Sequence, residues 1–313
     1  VHLPLRIQEG QVKPIRPTTA TILMVVASVS FAVMALFAKA VSSRIPATEI
    51  AFFRFGVGLV AVAVAATRTR LRPRNWRGLI LRGALGSGTV LCGFIAIQHL
   101  PVGIASVLSY TAPAFAAGWA WFLLGERVSR RAIVALLITC AGLGCVIFAA
   151  HQGQGASRWH VVAVLAAVLM GGAMATIREL RKTDGPWEVF AAFGLAGVLV
   201  SGVPMAHDYV APTVREWGLL LAVGLLALLS QLCMTVALGT LRATVAATLC
   251  QLTPVAALVL GGVVYGESPA ALAITGSLII VGGVIWGSVA PADDEEAEVE
   301  LPLHGATASA GEG

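Results

Sequence analysis

Tyr110 stands three residues before Pro113, and 141 residues further on Gln251 stands three residues before Pro254. Both pairs lie in strongly apolar sequence. A phenol or an amide buried there must find a hydrogen-bond partner, because leaving it unpaired costs about 1–3 kcal/mol. A proline in an apolar helix removes one backbone hydrogen bond and opens a kink. In a bilayer the freed carbonyl then needs a neighbour, water or a ligand. Phenol, amide and freed carbonyls together could hold a small polar molecule between them, with Pro113 and Pro254 as hinges. Gln98 and Gln231 add two more amides, and Phe31, Phe94 and Trp119 could supply aromatic walls. Such a set has hydrogen-bonding groups but no acid, so it suits a ligand whose charges balance internally better than a bare cation. Each residue also has a plainer use, as glue between helices or as packing.

Charge in this setting is costlier. Arg54 lies well inside an apolar block, where facing lipid would cost a few kcal/mol, so it is expected to face the bundle or the interface. Arg82 stands near the end of its block and is expected to snorkel. Lys39 and Arg178 close two helices and could attract an anionic group. Glu126 and Glu267 each follow a glycine at a helix end and read as caps of the helix that comes next, where the dipole favours them. Glu49 and Glu188 open two other helices in the same sense. No Asp falls inside an apolar block, which argues against a deep proton relay.

Five cysteines are all embedded in apolar sequence without metal-ligand spacing, so they read as small buried hydrophobes and imply no metal or cofactor. The chain has no H-E-x-x-H and no G-x-S-x-G elbow, so it does not read as an enzyme. Nothing resembles a filter or a ring of charges, which argues against a channel.

The elements that hold these residues follow from composition. Of 313 residues 58% are hydrophobic and 12% charged, with a mean hydropathy of +0.87. A soluble domain carries roughly twice that fraction of charge. The apolar residues fall in ten blocks, about 19–40, 48–67, 78–99, 102–124, 132–150, 159–180, 187–206, 216–239, 243–265 and 271–290. Each is about the length a bilayer span requires. The fold class is therefore an all-α membrane protein of ten transmembrane helices.

A net charge of +5 would suit nucleic acid, but the 18 Arg and 3 Lys sit mostly in short loops. With the N-terminus inside, cytoplasmic loops and ends collect fifteen basic residues and outer loops only four, Lys39, Arg44, Arg158 and Arg215. This positive-inside pattern places both termini in the cytoplasm, with no nucleic-acid partner.

Sliding the chain on itself by 141 residues gives a gap-free diagonal from Gly83 to Ala149. It pairs Gly83 with Gly224, Pro113 with Pro254, and Gly125-Glu126 with Gly266-Glu267. The first two spans fit at a shift of 139, pairing Glu49 with Glu188 and Gly58 with Gly197. The reading is two repeats, 18–150 and 157–290, between a short cytoplasmic segment 1–17 and an acidic tail 291–313 expected to be disordered. Five crossings per repeat is odd, so the second repeat starts on the opposite face and the two are inverted. Inverted repeats supply two related conformations, one open to each side, as alternating access requires.

The run "IPATEIAFFRFGVGLV" resembles the drug/metabolite transporter superfamily, specifically its EamA family. So does "GFIAIQHLPVGIASVLSYTAPAFAAGWAWFLLGERVSRRAIVALLITCAGLGCVIF". The resemblance covers about 18–290 and implies a ten-helix carrier of small metabolites, often amino acids or their analogues, in a bacterial inner membrane. The second repeat departs in having Phe193 at the place of Arg54, which confines any role of that charge to one half. Export or exchange of a zwitterionic or amphipathic metabolite is the expected function. Uptake of a metabolite such as S-adenosylmethionine is the alternative. The partners implied are the bilayer and a small-molecule substrate.

Overall fold

The computed structural model describes residues 15–68, 71–112, 114–116, 118–119, 130–153, 157–241, 246, 249–267 and 270–288. Among them there are helices and no strands. In chain order the helices are α1 (Pro17–Val41), α2 (Ala47–Ala66), α3 (Trp76–His99), α4 (Val102–Ser109), α5 (Arg130–Gly153), α6 (Arg158–Leu180), α7 (Pro186–His207), α8 (Val214–Leu238), α9 (Leu252–Tyr265) and α10 (Ala271–Ser288). Six of them, α1, α2, α3, α6, α7 and α8, contain stretches long and apolar enough to cross a membrane; α4, α9 and α10 are shorter. The outward faces are apolar: Val60, Ile80, Val161 and Leu199 are each more than 60% exposed. So wide an apolar belt is at home in lipid, where every helical backbone group is already paired.

The fourth apolar block is not one continuous helix. α4 ends at Ser109, and Tyr110 leaves helical geometry at φ −86° and ψ 12°. The chain continues through tighter turns, with Thr111 N donating to Leu108 O at 3.3 Å and Ala114 N to Thr111 O at 3.0 Å. Ser109 is four residues before Pro113, the position whose carbonyl a proline leaves unbonded. Pro113 itself lies outside the described residues. In the second half α9 starts at Leu252 with Gln251 before it, which puts Pro254 in the first turn, where its missing N–H costs nothing. The expected kinks are thus short breaks in helical structure at equivalent places, at Tyr110 and Thr111 in one half and at Gln251 in the other.

Packing runs between the halves. The main pairs are α1 with α8, α3 with α6, α2 with α7, α4 with α9 and α5 with α10, together with α3 with α7, α2 with α8, α1 with α9 and α4 with α6. Exchanging each of α1–α5 for the helix five later maps this set of pairs onto itself. Glycine contacts repeat the pattern: a Cβ on Gly83 would meet Ala196 at 2.8 Å, and one on Gly224 would meet Val57 at 2.7 Å. These close approaches set α3 against α7 and α8 against α2, and larger residues there would force the helices apart.

Polar contacts at the helix ends fix direction. The Glu49 carboxylate at the start of α2 accepts from Val210 N just past α7, at 3.0 Å. Arg44 of the α1–α2 turn donates to Glu216 of α8, Nε to Oε1 at 2.8 Å. At the other end Glu188, at the start of α7, accepts from Arg72 N just past α2, at 3.0 Å. Asp184 accepts there from Arg74 N at 2.7 Å. The start of each helix meets the end of the other, so α2 and α7 are antiparallel. α4 and α9 are antiparallel too, because Glu267 beyond α9 accepts from Val102 N and Gly103 N at the start of α4, at 2.8 and 3.4 Å. The capping expectation for Glu267 is therefore corrected: it caps a helix of the other half and not its successor. Glu126 lies outside the described residues.

Candidate functional site

The helices leave a cavity of about 140 Å³ between the two halves. Its lining comes from α1, α3, α4, α6, α8 and α9, and also from α2 and α7 through Arg54 and Phe193. The α4 interruption brings Tyr110 to the wall, and Thr253 in the first turn of α9 stands beside it; the two side chains interact. Ser106 and Ser109 add hydroxyls from α4. The apolar wall is flexible in type, with Met34, Met170, Met174 and Met234 among its residues. Unbranched thioethers adapt to irregular shapes better than branched side chains do.

Two arginines enter this space. Arg54 is 7% exposed and Arg82 is 3% exposed. The Arg54 guanidinium lies 5.7 Å from the Phe55 ring, 5.6 Å from Phe94 and 6.0 Å from Phe193. The Arg82 guanidinium lies over the same Phe193 ring at 4.2 Å, within cation–π range. Its Nε and Nη1 are buried and make no hydrogen bond. No acidic residue is found among the described lining residues. Arg82 was expected to snorkel to the interface; instead it turns inward. The reason is one turn further along α3, where a Cβ on Gly86 would sit 1.7 Å from Arg82 Nη1. Only glycine leaves room for the guanidinium to fold over that turn.

The residues singled out in the sequence divide between this cavity and other places. Phe31, Arg54, Phe94, Tyr110 and Gln231 line it. Gln231 Nε2 is 3.5 Å from Thr235 Oγ1, the limit of a hydrogen bond, within its own helix. Gln251 is not part of the lining. Its Nε2 donates to the Tyr110 carbonyl at 3.2 Å, so the two equivalent residues meet each other directly. Gln98 Oε1 accepts from Ala47 N at 3.2 Å, which ties α3 to the start of α2. Lys39 Nζ donates to the Ile97 and Leu100 carbonyls, each at 2.8 Å, and so caps the C-terminus of α3, where a cation is favoured. Trp119 Nε1 donates to Val168 O at 2.8 Å and packs on α6. Pro254 is buried in the first turn of α9, and the Arg178 side chain lies outside what is described. Arg82 and the methionines were missed. The Arg-x-x-x-Gly spacing on one helix face was the available signal for Arg82.

A helical bundle with apolar outer faces and a largely apolar central cavity entered by two arginines suits a membrane transporter. Residues 18–148 and 157–288 each match the EamA-like transporter family, and the chain belongs to it. It is similar to the pseudopaline exporter of Pseudomonas aeruginosa, with 34% identity over 84% of this chain and 93% of that one. It is also similar to a riboflavin transporter of Brucella anthropi, with 26% identity over 77% of this chain and 88% of that one. A solved crystal structure, 21% identical, overlays with a TM-score of 0.64 over 90% of this chain and 99% of the other, and has the same fold. The chain is a multi-pass inner-membrane transporter of a small molecule, and not an enzyme.

Proposed function

We propose that this chain is a secondary carrier that exports a small amino-acid-like metabolite by alternating access between two inverted repeats, 18–150 and 157–290. The observation that carries the reading is a central cavity walled by both halves, beside which α2 packs on α7 and α4 on α9, helices related by a 139- or 141-residue shift. The antiparallel pairing of α2 with α7 and of α4 with α9 supports the inversion. So does the family match to each half in turn. With α1 starting in the cytoplasm, the orientation that the distribution of basic loop residues favours, the contact of Glu267 with α4 lies at the outer end.

The interruptions beside Pro113 and Pro254 are suited to hinging. At each, helical hydrogen bonds are already given up, so bending there breaks fewer of them than bending mid-helix. Export is the direction favoured by the similarity to an exporter. Purified protein in liposomes tests the reading. A carrier gives saturable flux that is stimulated by substrate on the opposite side; non-saturating conductance would overturn it.

A further inference from the structure

We infer that the cavity recognises an organic anion bearing two carboxylates, held by Arg54 and Arg82. The inference rests on the carrier reading for its biological sense, but its argument is the site itself. A guanidinium does not give up its proton in a protein, so neither arginine can escape burial by becoming neutral. Each carries its charge on a side chain of a residue that is more than nine-tenths buried.

Burying a charge without a partner costs several kcal/mol. Neither an acid of the described lining nor, for Arg82 Nε and Nη1, any hydrogen-bond acceptor offsets that cost. The aromatic faces of Phe94 and Phe193 offset part of it. They leave the in-plane N–H groups free, and those are the groups that form paired hydrogen bonds to a carboxylate.

Two features specify an organic dianion. Both guanidinium groups reach one ring, Phe193, so two anionic groups of a single small molecule can meet both. The rest of the lining includes Phe31 and four methionines, which suits a hydrocarbon linker and gives a bare inorganic anion nothing further to bind. An ammonium on the same ligand would face the Tyr110 and Ser106 hydroxyls. The charge-balanced ligand suggested by amide and phenol alone thus becomes one with carboxylate in excess. The asymmetry is consistent: Phe193 and Val223 stand where a symmetric second pair of arginines would be, so the ligand has one orientation.

The test is thermal stabilisation of purified full-length protein by succinate, glutarate and adipate. Each is compared at equal ionic strength with its monoamide and diamide, and with sulfate. At least one diacid should stabilise the protein, its monoamide less so, and its diamide and sulfate not at all. R54Q and R82Q should weaken the diacid affinity at least about tenfold, with R82K retaining part of it. G86A keeps every charge but occupies the place of the Arg82 Nη1, and it should weaken affinity as well.

Without ligand, R82Q should melt no lower than wild type, because it removes an unpaired charge. Equal binding of diacid and diamide, equal binding of sulfate, no response to any diacid, or an undiminished response in R54Q and R82Q would each overturn the inference. Liposome counter-flow separates this from the carrier reading. Saturable flux of zwitterions that is indifferent to R82Q would leave the carrier standing and sink the dianion. Diacid binding without saturable flux would do the reverse.

Discussion

Glu267→Gln tests whether one carboxylate joins the two halves at the end of the bundle. In the structure its Oε1 accepts from Val102 N at 2.8 Å and its Oε2 from Gly103 N at 3.4 Å. α4 begins after Pro101 with no side-chain cap of its own, so this carboxylate is what its first N–H groups find. The amide keeps an oxygen for Val102 and the contact to Gly103 is already long, so little bonding is lost in number. What is lost is charge. A hydrogen bond to an ionised group contributes about 1.5–3 kcal/mol against about 0.5–1.5 for a neutral one. The helix dipole adds about 0.5 kcal/mol. The total is about 2 kcal/mol, or roughly 30-fold in the equilibrium between joined and parted ends. Single-cysteine labelling reads that equilibrium. Ser106→Cys in a background without native cysteines places a thiol on the cavity wall, and an impermeant maleimide is added from the side bearing residues 266–267. The labelling rate should rise at least about tenfold with Glu267→Gln, at unchanged protein abundance. An unchanged or lower rate would refute the idea that this contact closes the cavity.

Gly224→Val should cost about 1–3 kcal/mol of stability by driving a side chain into Val57, whereas Gly93→Ala, with open space around its Cβ, should melt within a degree or two of wild type. Equal melting temperatures for the two would count against close α2–α8 packing. Tyr110→Phe should weaken substrate binding, while Gln251→Leu, which unpairs the Tyr110 carbonyl, should lower stability by about 1–3 kcal/mol and spare affinity; calorimetry and unfolding curves with and without ligand separate the two. Cysteines at Tyr209 and Arg44 should react with an impermeant reagent outside intact cells, and those at Thr67 and Lys182 should not. The opposite pattern would invert the topology proposed from the basic loops.

Much of this protein is written locally. Long apolar blocks select helices in lipid, because no other open structure pairs its own backbone there. The prolines, through the hydrogen bond each forgoes, mark where α4 stops and α9 starts. The 141-residue diagonal marks Tyr110 and Gln251 as equivalent, since internal similarity needs no knowledge of contacts. Partnership is a different matter. That Glu267 caps α4, that Lys39 caps α3, and that Gln251 spends its amide on Tyr110 depends on which helix ends meet in space, and residues 165 or 58 or 141 apart carry no local trace of that. Arg82 shows the limit most plainly. Its distance from the helix end permits either snorkelling or burial, and the choice falls inward only because α3 faces α7 and Gly86 leaves the guanidinium a place beside Phe193. A charge's cost is set by its surroundings, and those exist only once the halves have packed.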